Sequence, residues 1–168
     1  MNRHLINAKE AAELSRPNYA DSSIINACIE EAEQLDIKAA LGDSLFLRLL
    51  NSDSDLGILM EGGEYERCGE RRVFPGLKKT LAYYIYARVV KNGSSVQTRF
   101  AFVNKQDDHS NTSDFKDRMQ AYNDAFSIAD RYLKQCLDYI LANKELFPDY
   151  RGHGRIKNNR VVTRIIGD

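Results

Sequence analysis

The sequence has little of what a membrane protein, a disulfide scaffold or a motif-bearing enzyme needs. No apolar run is long enough to cross a bilayer. The opening stretch, MNRHLINAKEAAELS, lacks the apolar core of a signal peptide. The three cysteines, Cys28, Cys68 and Cys136, are odd in number and far apart. That argues against a disulfide framework and fits a reducing cytoplasm. No two of them form a C-x-x-C pair. Neither a P-loop (G-x-x-x-x-G-K-S/T) nor a nucleophile elbow (G-x-S-x-G) occurs. The histidines, His4, His109 and His153, fall in expected termini or loops, none at a metal-ligand spacing from Cys, Asp or Glu. Asp107-Asp108-His109 reads as a solvated polar loop rather than a metal site. Gly57, Gly62, Gly63 and Gly69 read as turns, because Glu64 and Glu66 beside them would repel a phosphate. The expectation is a non-enzymatic protein with no catalytic, metal-binding or cofactor-binding residue.

An excess of charge of either sign is missing as well, yet the charges are not evenly spread. The formal net charge is zero. Residues 28–66 carry 10 acidic and 2 basic side chains, and residues 67–105 carry 1 acidic and 9 basic. Acidic blocks repel nucleic-acid phosphates, so the chain is a poor general nucleic-acid binder. Opposite patches on neighbouring copies suit head-to-tail association. The plainer reading is that the blocks mix in three dimensions and leave no patch.

What is present is helical patterning. At 168 residues the chain fits one domain, expected over 1–150, with a basic tail over 151–168. Asn7 with Glu10 forms an N-cap signature for a short helix ending before Pro17. Asp21 or Ser22 caps a second helix, whose apolar face is Ile24, Ile25, Cys28, Ile29, Ala32 and Leu35. Glu30, Glu31 and Glu33 are assigned to its solvated side. A further helical segment over 37–50 aligns Ile37, Leu41, Leu45 and Leu49, with a break or restart at Gly42-Asp43. Residues 64–74 read as a β-hairpin turning near Cys68-Gly69. Pro75-Gly76 opens a helix of about four turns through Leu77, Leu81, Ile85 and Val89. Residues 96–104 alternate as an extended strand, with the arm of a hairpin as the other reading.

The strongest signal is a seam over Phe115, Met119, Tyr122, Phe126, Ala129, Leu133, Cys136 and Ile140, spaced alternately four and three apart. A helix over 114–144 would be roughly 45 Å long. A compact domain of this size is about 30–35 Å across, so the helix must be a spine or must project. The spine is the preferred reading, and Leu133→Asp is expected to unfold the domain. The fold class is therefore mainly α: a helical bundle with one long C-terminal helix as spine, a small β-hairpin and an extended β-like arm.

Two basic groups are candidate interface or DNA-channel residues. Arg71, Arg72, Lys78 and Lys79 surround the hairpin and the next helix start, with Arg99 and Lys105 on the extended arm. Arg151, Arg155, Lys157, Arg160 and Arg164 stud the tail, which is expected to order only on a partner. The helix pair read over 22–35 and 37–50 also invites a helix-turn-helix interpretation. Against it, the second helix offers only Lys38 and Arg48 where a recognition helix should be basic.

The order of these elements resembles the head–tail connector (head-completion or adaptor) proteins of tailed phages and prophages, in the version found in phages of Bacteroidetes. The likeness covers roughly residues 5–150. It rests on IINACIEEAEQLDIKAALGDSLFLRLL, on VFPGLKKTLAYYIYARVV after the hairpin, on VQTRFAFVNK, and on the long AYNDAFSIADRYLKQCLDYILANKELFPDY segment. The resemblance implies a ring of copies beneath a portal protein that extends the DNA channel and docks tail or neck proteins. It implies a place in the virion neck, and in the host cytoplasm before assembly, with no membrane partner. Contact with passing DNA would be non-specific. The alternative from the residues alone is a small DNA-binding regulator of a mobile element.

Overall fold

The fold was read from a computed structural model, which describes residues 3–16, 20–51, 56–92, 95–97, 102–104 and 115–152. Side chains in 95–97, 102–104 and at Phe115 are outside that description. Helix α1 (Ala8–Leu14) begins with the expected cap. The Asn7 side chain accepts from the Glu10 backbone N–H at 2.9 Å, and Glu10 Oε2 accepts from the Asn7 N–H at 3.1 Å. Two donors that no helical carbonyl can reach are thereby satisfied.

Helix α2 (Ser22–Ala32) does not stop at residue 35. It runs through a π-turn (Glu33–Ile37) directly into α3 (Lys38–Leu41). The chain breaks only at Gly42, where φ is +83°, and restarts as α4 (Asp43–Leu50). The two-helix division at residues 35–37 is thus corrected, and the helix-turn-helix interpretation loses its turn. Ile37, Leu41, Leu45 and Leu49 are all buried, as their spacing predicts. Leu35 is not: it is 65% exposed. A π-turn spends one extra residue per turn, which shifts the helical face after Ala32 and carries Leu35 outward.

A short helix, α5 (Gly57–Glu61), leads into strands β1 (Gly63–Arg67) and β2 (Glu70–Phe74). They pair antiparallel with Tyr65 opposite Arg72 and Glu64 opposite Val73. Cys68 (φ +55°) and Gly69 (φ +77°) make the turn, the left-handed pair that a two-residue hairpin requires. Side chains alternate across the ribbon. Tyr65 and Phe74 face the body, while Glu64, Glu66, Arg71 and Val73 face solvent.

Helix α6 (Leu77–Asn92) is the centre of the molecule. Leu77, Thr80, Leu81, Ala82, Tyr84, Ile85, Ala87 and Val89 are buried, because α1, α2, α5 and the long α7 (Phe115–Ala142) all pack on it. A helix apolar on most sides belongs inside. Helix α7 lies along α6, and at 28 residues it is about 42 Å long. Its buried positions are Ala125, Ala129, Cys136, Tyr139 and Ile140, with Phe126 and Leu133 half-buried. Phe147 tucks back onto Tyr139 with ring centroids 5.8 Å apart. The expected single strand over 96–104 is corrected: β3 (Ser95–Gln97) pairs antiparallel with β4 (Phe102–Asn104), so this stretch folds back on itself as the hairpin reading has it. The architecture is mainly α with one long C-terminal helix and a small hairpin.

Candidate functional site

The basic residues predicted from the sequence that the structure describes are Arg71, Arg72, Lys78, Lys79 and Arg151, and the first four each have a partner within the chain. On the hairpin, Arg71 Nη2 donates to Glu64 Oε2 at 2.6 Å, and Arg72 Nη2 donates to Glu70 Oε2 at 2.9 Å. Lys78 is sandwiched between Glu61, its closer partner, and Glu10 at 3.4 Å. Glu61 and then Glu10 hold its ammonium above the ordinary lysine range. Lys79 lies over the Tyr132 ring, 5.7 Å from the centroid. Arg151 is exposed. Arg99, Lys105, Arg155, Lys157, Arg160 and Arg164 lie outside the described residues, as do Asp107, Asp108, His109 and His153.

The charge blocks meet inside one chain. Arg67 of the basic block pairs with Asp138 at 3.1 Å, and Arg88 pairs with Glu31 and Asp36 of the acidic block. Arg48 pairs with Asp149 at 3.1 Å. These contacts follow the plainer expectation of mixing. Much of the charge that would attract a neighbouring copy is spent within the domain.

The most chemically unusual place is one that spacing did not reveal. The π-turn aims two carboxylates in different directions. Glu33, assigned to the solvated face from its position among Glu30 and Glu31, is instead 3% exposed. It accepts from the Leu5 N–H at 2.6 Å and contacts His4 Nδ1 at 2.8 Å. An acid is normally kept at the surface unless partners replace its water, and here a backbone donor and an imidazole do so.

Asp36 points the other way, into the junction of α2, α6 and α7. Its Oδ2 is buried and lies 2.8 Å from Arg88 Nη2, a close ionic contact rather than a well-aligned hydrogen bond. Arg88 also reaches Glu31 at 3.5 Å and donates to the Tyr84 carbonyl at 3.3 Å. The Tyr84 hydroxyl donates to Asp130 Oδ1 at 2.7 Å. Burial pushes the Asp36 carboxyl up to about 6, against the pull of Arg88, and Asp130 and Glu31 add to the rise. Burial, helped by Asp130, also pushes the Tyr84 hydroxyl up. Cys28 nearby is pushed up to about 11 by burial and is a poor nucleophile.

Two shallow concave features among the described residues lie elsewhere. One is lined by Asp117, Gln120, Ala121 and Asp124 along a single helix face. The other, lined by Gly42, Asp43, Ser44, Pro148, Asp149 and Arg151, sits where α4 meets the turn after α7. Among the described residues no group of three His, Cys, Asp or Glu side chains could hold a metal ion, and no helix is long and apolar enough to cross a membrane.

Residues 37–160 match DUF6712, a family of unknown function. The chain belongs to this family. No curated protein and no solved structure matches it. The DUF6712 match takes in α3 through α7, so Arg88, Tyr84 and Asp130 lie within it. Glu31, Glu33 and Asp36 precede it.

Proposed function

We propose that the protein is a structural virion assembly protein: a ring-forming head–tail connector of a phage or prophage, set between portal and tail and extending the DNA channel. The observation that carries the reading is the hairpin. Strands β1 and β2 form a two-stranded ribbon fixed to the body by one face only. The other face presents Glu64, Glu66, Arg71 and Val73, the last 71% exposed. One exposed valine among charged side chains gives this face a point of contact for another protein surface. An extended edge can also pair with a strand from another chain. A ring needs two different surfaces that meet, and this ribbon supplies one of them.

The DNA-binding alternative has less support. Arg71 and Arg72 are each neutralised by a glutamate on the same ribbon, which weakens their attraction for phosphate.

Native mass spectrometry of the purified protein, with microscopy of particles carrying it, tests the proposal. The expected outcome is a closed ring located at the neck, weakened by Val73→Glu. Absence of the protein from purified particles overturns the reading. So does salt-sensitive duplex binding by a protein that stays monomeric.

A further inference from the structure

The register of the β1–β2 ribbon fixes which backbone groups its outer edges present. Cys68 and Gly69 form a two-residue turn, so the flanking pair Arg67–Glu70 exchanges ladder hydrogen bonds and bonded pairs alternate from there. Tyr65–Arg72 and Gly63–Phe74 are bonded within the ribbon. The N–H and C=O groups of Glu64, Glu66, Arg71 and Val73 point outward. No third strand pairs with either edge, and no other described group hydrogen-bonds to these backbone atoms. An edge left open in this way is a template for another strand.

The two edges differ in charge on the solvent face. The β1 edge shows Glu64 and Glu66, and the β2 edge shows Arg71 beside Val73. Arg71 is 83% exposed in its pair with Glu64, and Glu66 has no ion-pair partner among the described residues. Pairing about a two-fold axis therefore sets like against like. Two β1 edges meet glutamate to glutamate. Two β2 edges set like charges opposite each other or draw in Pro75, which has no N–H to give. Head-to-tail pairing does the reverse. When the hairpins of neighbouring copies point the same way, β2 of one lies antiparallel to β1 of the next. In the register that the ribbon itself uses, Glu66 of the neighbour comes opposite Arg71, Glu64 opposite Val73, and Arg67 opposite Glu70 on the other face.

We propose that the occupant of these edges is a second copy of the chain: the β2 edge of one hairpin adds to the β1 edge of the next, in a continuous antiparallel sheet. This rests on the ring reading above and names the contact that makes the ring. The two edges are different surfaces, so the contact is heterologous and closes on itself when the rotation between copies allows. Each strand has only five residues, so the ladder sets direction and register rather than the whole affinity.

The test uses the full chain carrying Cys68→Asn, which removes the one exposed thiol and keeps a residue that tolerates the positive φ of the turn. Glu66→Cys and Arg71→Cys are placed on separate chains, because within one chain the two positions are cross-strand neighbours. Across the proposed interface they form a hydrogen-bonded pair, with Cα atoms about 5.5 Å apart and within disulfide reach. Each variant oxidised alone is expected to stay monomeric on a denaturing gel, and the mixture is expected to give a disulfide-linked heterodimer. Homodimers as abundant as the mixed product, or no crosslink in the mixture, overturn the edge pairing.

Native mass spectrometry supplies a second readout. Glu66→Arg is expected to lose the ring, and adding Arg71→Glu to the same chain is expected to restore it. Rings that persist in Glu66→Arg overturn the edge pairing and leave the ring reading standing. Mixed crosslinks from a protein that is absent from purified particles uphold the edge pairing and overturn only the virion reading. Should Glu66→Arg fail to fold, the crosslink decides.

Discussion

The buried carboxylate of Glu33 accepts a 2.6 Å hydrogen bond from the backbone N–H of Leu5, 28 residues earlier in the chain. Leu5 and Ile6 are themselves in the core, so this bond pins the start of the chain to the π-turn. Glu33→Ala leaves the Leu5 donor buried without its acceptor, at a cost of about 1–3 kcal/mol. Glu33→Gln keeps an acceptor oxygen and should lose less. Urea midpoints of the two variants check this order. A Glu33→Ala protein as stable as wild type would show that this bond contributes nothing to the fold.

The hairpin is held by a ring stack. Phe74 and Tyr139 lie 4.3 Å apart at 14°, and Tyr65 meets both rings edge-on at 5.8 and 5.5 Å. A two-stranded ribbon is marginal alone, so its order depends on this contact. Phe74→Ala is expected to cost about 3–5 kcal/mol, in the range of other buried aromatic truncations. Combining it with Tyr139→Ala should show a coupling of about 0.5–1.5 kcal/mol in a double-mutant cycle. Additive losses would mean that the rings merely fill space independently.

The features legible in the sequence were those set by local chemistry. The Asn7 cap, the Gly42 break, the Cys68-Gly69 turn and the helix after Pro75 depend on neighbours a few residues away. The features that were not legible depend on distant ones. Glu33 looked solvated because its partners, His4 and Leu5, stand 29 and 28 positions off. The Asp36 cluster draws on four segments, and no spacing rule joins them. The π-turn has no residue signature of its own, and missing it placed Leu35 on the wrong face. The centrality of α6 was available in its nearly unbroken apolar character, although the regular seam of α7 was the more conspicuous pattern.

Two glycines make a contact that side chains would prevent. Gly76 (φ +82°) and Gly62 (φ +88°) bring their backbones together where α5 ends and α6 begins. A Cβ on Gly76 would fall on the backbone of Glu61 and Gly62, which cannot rotate away as a side chain can. Gly76→Ala should therefore destabilise by more than the roughly 1–3 kcal/mol of an unfavourable backbone conformation alone. Gly57→Ala is the control. Nothing lies within 4 Å of its Cβ position, and it sits in a helix, so a gain of about 0.5–1 kcal/mol is expected. Thermal melts of the pair decide the matter, and equal effects at the two sites would contradict the close approach.

The seam of α7 does not stay buried along its length. Ile140 and Cys136 are fully enclosed, but Leu133 and Phe126 are only partly covered, and Ala125 and Tyr139 are buried off the heptad line. A straight helix turns about 20° per heptad away from a strict seven-residue repeat, so over 28 residues the buried stripe slides across the pattern. Charge placed on the two leucine-like positions should then behave differently. Ile140→Asp buries an unpaired carboxylate at the most enclosed point and should leave no folded protein at neutral pH. Leu133→Asp, expected from the sequence to be equally severe, has a route to solvent and should retain a cooperative transition at a lower melting temperature. Circular dichroism melts of both at pH 7 separate them. Loss of all structure in Leu133→Asp would restore the unbroken seam as the organising line of the bundle.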